Sequence, residues 1–407
     1  MIPTLDDIIS AKKLIAGSVM QTPFLAAPKL SLLTGADVRV KYENLQVTNS
    51  FKDRGALVKL LQLNEDQRAR GVIAMSAGNH AQAVAYHSQR LGIPATIVMP
   101  EPTPFVKVAN TRAYGAKIVL SGETLADSQV EAERLIGEHG YTLVHPYDDP
   151  HVIAGQGTIG LEMLDTFDDL DTIIVPIGGG GLISGVSIAV KATKPSIEIV
   201  GVEVSSYASV WSALRGETAR CGGNTLAEGI AVKNVGKLNL EIIRENVSDI
   251  VLVDEPDIER AVNAYLTLQK TMAEGAGAAG LAAMLSAPTR FAGRKVGLIL
   301  CGGNIDARIL ASIMVRELVR QNRVMAIRIT IPDRPGVLGD IASLIGDLGG
   351  NILEVEHHRL FLHVPAKGAS LDVTVEMRDA AHGNEIVAGI EANGFLVDRL
   401  DTIEAEL

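Results

Sequence analysis

Two cysteines, Cys221 and Cys301, are all that the 407 residues contain, so a disulfide framework is not what holds this chain together. No basic stretch followed by an apolar run opens it, and export is not expected. No apolar run approaches the roughly 20 residues a membrane span needs. Positive charge is also short: 37 Lys and Arg against 48 Asp and Glu leave a net charge of -11, which argues against nucleic acid and anionic membrane as partners. Internal repeats and low-complexity segments are lacking as well. A cytoplasmic protein acting on small soluble ligands is the expectation, with two or three domains on the usual prior of roughly 100 to 200 residues each.

What is present is an alternation of short apolar runs with longer amphipathic segments, the pattern of an α/β fold with mostly parallel sheets. Strands are predicted at 38–42, 72–75, 95–99, 117–120, 172–175, 198–202 and 295–300, and helices at 80–89, 124–139, 183–191, 258–272 and 308–321. Several strands read as nearly continuous Val, Ile and Leu, which suits burial on both faces. After the polar stretch 319–323 the order changes to strand 326–331, turn 333–336, helix 337–348, strands 351–362 and 370–377, helix 380–392 and strand 395–400. That βαββαβ order predicts a split sandwich with two helices on one face of an antiparallel sheet. Residues 327–407 hold 6 basic and 14 acidic side chains, so -8 of the charge lies in this tail. A boundary at 322/323 follows, with a smaller subdomain at about 45–150 in the first part.

Three predicted strands run into glycine-containing loops that carry chemistry. Gly178, Gly179, Gly180 and Gly181 lie between a strand and a helix beginning near Leu182, where backbone N–H groups could cradle a phosphate. The set lacks both the P-loop lysine and the dinucleotide spacing; a tight turn needing glycine only for its backbone angles is the competing reading. Ser76-Ala77-Gly78-Asn79-His80 opens another helix and could grip a carboxylate, or simply cap that helix. Cys301-Gly302-Gly303-Asn304 follows the strand 295–300, and Cys301 taken alone reads as a buried structural thiol. All three lie at the carboxyl ends of predicted parallel strands, where open α/β sheets bind ligands. Upstream stands Lys52 in Asn49-Ser50-Phe51-Lys52-Asp53-Arg54-Gly55. A desolvated lysine there could form a Schiff base with an aldehyde, whereas the plain alternative is a solvated lysine beside two other charges.

Taken in order, these four stretches resemble the fold type II pyridoxal phosphate enzymes, and within them threonine ammonia-lyase (threonine dehydratase) and its relative serine racemase, over roughly residues 5–320. The tail resembles an ACT domain, most clearly at Asp333-Arg334-Pro335-Gly336. The resemblance implies pyridoxal 5'-phosphate as cofactor, held covalently by Lys52, which would also act as the base at Cα. Phe51 would pack on the ring, Gly178 to Gly181 with Leu182 would take the phosphate, Asn79 the ring hydroxyl oxygen, and Cys301 would face the ring nitrogen. Ser76, Ala77, Gly78, Asn79 and His80 would hold the substrate carboxylate.

The implied reaction is α,β-elimination, turning L-threonine into 2-oxobutanoate and L-serine into pyruvate. Racemases of this family have serine where this chain has Ala77, which ranks dehydration first. Serine racemization, action on threo-3-hydroxyaspartate, and an amino-acid sensor without turnover are the alternatives. No metal is assigned: Glu203 matches a cation ligand of the racemase branch, but Ser209 stands where a second carboxylate is expected. Glu274 reads equally as a helix-start charge or a site residue. Adjacent His357 and His358 would point to opposite faces of a strand. ACT resemblance further implies an amino-acid effector and a homo-oligomer, dimer or tetramer.

Overall fold

A computed structural model describes residues 1–359 and 368–400. They divide into two units, Met1–Ile305 and Asp306–Leu407. The helix Ala307–Arg320 therefore groups with the tail, ahead of the expected boundary at 322/323. It contacts the strand Val324–Pro332, and Ile313 is its one buried residue.

The first unit holds two sheets. The larger is six-stranded, in the order Phe24–Ala26, Asp37–Tyr42, Lys295–Leu300, Thr172–Pro176, Glu198–Val204, Asp249–Val253, and all its pairs are parallel except the first. The smaller is four-stranded and parallel, in the order Lys117–Leu120, Ala95–Met99, Val72–Met75, Thr142–Leu143. Each expected strand is present. Three more were not anticipated: Phe24–Ala26 and Thr142–Leu143 are too short for a periodic signal, and Asp249–Val253 is an edge strand bounded by acidic residues.

Register explains why distant loops meet. Tyr42 lies beside Leu300 in the larger sheet, so the chain leaves both strands at the same edge. The segments that follow remain paired: Ser50 bridges Gly302, and Phe51 N–H donates to the Cys301 carbonyl at 3.0 Å. In the smaller sheet Ile73 lies beside Leu143, so Ser76 and Pro146 emerge together at its carboxyl edge. The core of this subdomain includes Val72, Ala74, Val84, Ile97 and Met99.

The second unit has the expected βαββαβ order: Val324–Pro332, Val337–Asp347, Asn351–His358, Gly368–Glu376, Ala380–Ala392 and Leu396–Arg399. Its sheet is antiparallel throughout. Ile327, Ile329, Ile341, Leu371, Val373 and Ile386 fill the space between sheet and helices. Positions 360–362 of the expected strand lie outside the described residues. Among the described residues no helix is long and apolar enough to cross a membrane.

Candidate active site

Lys52 is the first residue of the helix Lys52–Leu61 and is half-buried. Its Nζ donates to the Pro146 carbonyl at 2.7 Å and lies 5.0 Å from the centroid of the Phe51 ring. Burial pulls its pKa down to about 8, against the pull of Cys301 and Glu274 in the other direction. At pH 8 about half of such amines would be neutral nucleophiles. Asn49, which starts the approach to it, takes the left-handed conformation that asparagine tolerates (φ 57°).

The two charges after Lys52 are not solvated, contrary to the plain reading of this stretch. Arg54 is fully buried and makes a double fork: to Glu43 through Nε and Nη2 at 2.8 Å each, and to Glu162 at 2.7 and 2.8 Å. Lys41 donates to Glu162 at 2.5 Å and to the Thr22 carbonyl at 2.7 Å. Two cations meet two anions, which is what makes burial of all four tolerable. Arg54 is held above its usual pKa because, although burial opposes it, the two carboxylates win.

The tetraglycine loop closes on the residue after Pro146. A Cβ on Gly179 would fall 2.3 Å from the Tyr147 ring, and one on Gly181 would fall 3.0 Å from Tyr147 Cα. One on Gly180, which has φ of 99°, would meet Asn239 at 2.7 Å. One on Gly178 would lie 3.1 Å from the Gly229 carbonyl. Close approach is needed at each position, more than a tight turn asks. Gly180 caps the helix Gly181–Thr193, whose first-turn N–H groups, Leu182 among them, have no partners within that helix. Pro146 and Tyr147 therefore join the Lys52 amine to a built anion cradle.

Ser76 to Asn79 cover the step from the strand Val72–Met75 to the helix Asn79–Leu91. Ser76 Oγ accepts from Gly78 N–H at 3.1 Å. Asn79 Nδ2 donates to Glu274 Oε1 at 2.7 Å, while its Oδ1 accepts from Asn304 Nδ2 at 2.7 Å. The amide is held from both sides with one N–H left to offer. The His80 ring faces the core instead: Nε2 meets the Val144 carbonyl at 2.7 Å, and burial, with the charge of Lys52, pushes its pKa down to about 3. Its backbone N–H, not its ring, is available to a carboxylate. Ala77 packs against the small-sheet core.

Cys301 is buried, and burial together with Glu274 pushes its thiol well above the ordinary range, so it is neutral. Glu274 is the residue the sequence reading left undecided. It precedes a helix, Gly275–Ser286, of which residues 275–284 are all buried. A lone carboxylate opening so apolar a segment was the available signal. Burial raises its pKa to about 7 in spite of the Asn79 hydrogen bond. Glu203, by contrast, spends both oxygens on Val210 and Trp211 N–H at 2.8 Å each, and the Ser209 hydroxyl goes to the Val232 carbonyl at 2.5 Å. In the second unit His358 lies 3.4 Å from both Glu356 and Asp372, but Asp372 is already forked by Arg328.

These residues fit pyridoxal phosphate: a lysine amine of lowered pKa, glycine N–H groups at a helix start, an oriented asparagine amide and a neutral thiol converge. The buried Ser50 hydroxyl, next but one to Lys52, has no partner among the described residues.

Comparison with known proteins agrees. Residues 15–302 match the pyridoxal-phosphate dependent enzyme family, and residues 325–388 match the ACT domain. The chain is 42% identical to the L-threonine ammonia-lyase of Thermotoga maritima over 396 residues, 97% of this chain and 98% of that one. It is 42% identical over 311 residues to a catabolic L-threonine dehydratase of Staphylococcus aureus, covering 75% of this chain and 90% of the other. Among solved structures, the processed form of threonine deaminase isoform 2 from Solanum lycopersicum matches with a TM-score of 0.72 at 34% identity, over 77% of this chain and 90% of that one. Maize serine racemase matches with a TM-score of 0.73 at 35% identity, over 79% and 99%.

Proposed function

The chain belongs to the pyridoxal-phosphate dependent enzymes and carries an ACT domain, and from that premise we propose that it is an L-threonine ammonia-lyase, converting L-threonine to 2-oxobutanoate and ammonia, with L-serine going to pyruvate as a lesser activity. The observation that carries this reading is the Lys52 amine, titrating near 8 and seated on Pro146, one residue from the tyrosine on which the tetraglycine loop closes. Pyridoxal phosphate, when bound, supplies an aldehyde that condenses with amines and a ring that draws electrons from the α-carbon of an amino acid.

Lys52 would hold the cofactor, and its freed amine would take the Cα proton: near pH 8 it can both accept and return a proton, as an ordinary lysine cannot. Gly178 to Gly181 and the Leu182 N–H would take the phosphate, Phe51 would pack against the ring, and Asn79 would give its remaining N–H to the ring hydroxyl oxygen. The Ser76–His80 turn holds the substrate carboxylate through N–H groups at the helix start. Cys301, as a neutral thiol, cannot keep the ring nitrogen charged, which favours loss of the β-hydroxyl over return of the proton. Likeness to the maize racemase raises racemization as a second reading. Against it, Ala77 offers only a methyl group where that activity needs another proton carrier.

Product analysis decides between them. Purified full-length protein given pyridoxal phosphate and L-threonine should release 2-oxobutanoate and ammonia in equal amounts, and pyruvate more slowly from L-serine. Interconversion of L- and D-serine faster than pyruvate release would overturn the assignment.

The ACT domain supports regulation by an amino acid. Gly336, with φ of 94°, caps the helix Val337–Asp347, and the first turn of that helix offers N–H groups to a carboxylate. Pairing of such domains between copies supports a homo-oligomer, and two free cysteines suit a cytoplasmic setting.

A further inference from the structure

Asp53 and His87 have no part in the chemistry above, yet each is only 1% exposed. Asp53 lies in the first turn of the Lys52 helix, and His87 lies eight residues after Asn79 in the helix Asn79–Leu91. His87 Nε2 stands 3.5 Å from Asp53 Oδ1. The same carboxylate accepts from the Thr48 N–H at 3.1 Å and from the Thr48 hydroxyl at 2.5 Å. Apart from the approach to Asp53, neither His87 nitrogen has a hydrogen-bond partner among the described residues. A buried imidazole so placed is unfavourable unless that one contact matters.

The contacts continue beyond Thr48. Its carbonyl accepts from Asn304 Nδ2 at 2.8 Å, and the same nitrogen donates to Asn79 Oδ1 at 2.7 Å. Asn79 and His87 share one helix, so the path His87, Asp53, Thr48, Asn304, Asn79 closes on itself. Lys52 is covalently next to one member of this ring. The other groups facing it are Tyr86, edge-on to His87 with centroids 4.9 Å apart, and Tyr114, whose pKa is raised by burial and by Asp53.

We propose that Asp53 and His87 are positioning residues, a buried pair that fixes the Lys52 amine relative to the Asn79 amide by locking together the two helices that carry them. The inference rests on the roles given to Lys52 and Asn79 above.

The test uses the full chain with D53N, H87L and H87Q. In cofactor-free protein, modification of Lys52 by formaldehyde and cyanoborohydride is followed against pH by peptide mass spectrometry. The wild-type midpoint should lie at about 8. In D53N and H87L the amine loses its buried seat, and the midpoint should rise by about one unit or more toward the ordinary lysine value. H87Q, which can present an amide N–H near the Nε2 position, should stay with the wild type. With cofactor and L-threonine, D53N and H87L should lose about tenfold or more in kcat while KM changes by less than about threefold. A fall in melting temperature alone, with the Lys52 profile and kcat per folded molecule unchanged, would overturn the proposal. Should the wild type eliminate nothing from threonine, the functional reading fails, while the Lys52 profile still decides the positioning role.

Discussion

Glu274 accepts a 2.7 Å hydrogen bond from Asn79, and its carboxyl titrates near 7 because it is buried. One of the two groups that orient Asn79 therefore changes charge near neutral pH. Its charge also supports the Lys52 ammonium. In E274Q that support is gone, so the Lys52 midpoint in cofactor-free protein should fall below about 8. Wild-type kcat/KM should inflect near pH 7, and E274Q should lack that inflection. A pH–rate profile of E274Q identical to that of the wild type would show that Glu274 does not couple to the site.

The glycine loop predicts a graded loss of cofactor. G179A drives a methyl group into the Tyr147 ring at 2.3 Å, and G180A adds a side chain at φ of 99°. The second costs about 1–2 kcal/mol from backbone strain alone. Both should weaken pyridoxal phosphate binding by about tenfold or more, which is a loss of about 1.4 kcal/mol or more. Titration followed by cofactor absorbance measures it; wild-type affinity in G179A would remove the loop from the phosphate site.

The buried charges around Arg54 predict a different kind of failure. R54M leaves Glu43 and Glu162 with Lys41 as their one remaining cation and should cost about 3–5 kcal/mol of stability. Burial would raise the Glu43 pKa, but Arg54 outweighs it and holds the carboxyl below its ordinary 4.5. A depressed carboxylate stabilises the fold above its unfolded pKa and loses that contribution as pH falls through the folded value. Wild-type denaturant curves should therefore weaken below pH 4.5, and R54M should show less of that dependence. Equal stability of the two proteins at pH 7 would show the cluster to be energetically idle.

Which parts of the site could be read in advance follows from where their partners lie. Lys52, Gly178 to Gly181, Asn79 and Cys301 each sit at a strand end beside glycine or a helix start, a local signature. Arg54 carries no such mark. Its partners are 11 and 108 residues away, and in the chain it looks like any charge on a helix. Pro146 and Tyr147 escaped notice for the same reason, since only the pairing of Ile73 with Leu143 brings them to Lys52. His80 is legible only in part: its place in the loop marks its backbone N–H for a carboxylate, but not that its ring turns inward to Val144. The grouping of the helix Ala307–Arg320 with the tail likewise depends on a contact to Val324–Pro332 that periodicity cannot reveal.

That grouping sets up the last prediction, on regulation. If the tail senses an amino acid, an effector must bind two states of the protein with different affinity, and removing its site removes the response while leaving the chemistry. All residues placed in the catalytic site lie within Met1–Ile305. A chain ending after residue 322 retains the helix Ala307–Arg320 without the strand it contacts, whereas one ending after residue 305 lacks both. The shorter chain, which holds all of those residues, should keep threonine turnover. Isoleucine and valine should shift the activity of the full-length protein and leave the truncated one unchanged. An equal response in both would place the effector site in the catalytic unit and leave the ACT domain without a sensing role.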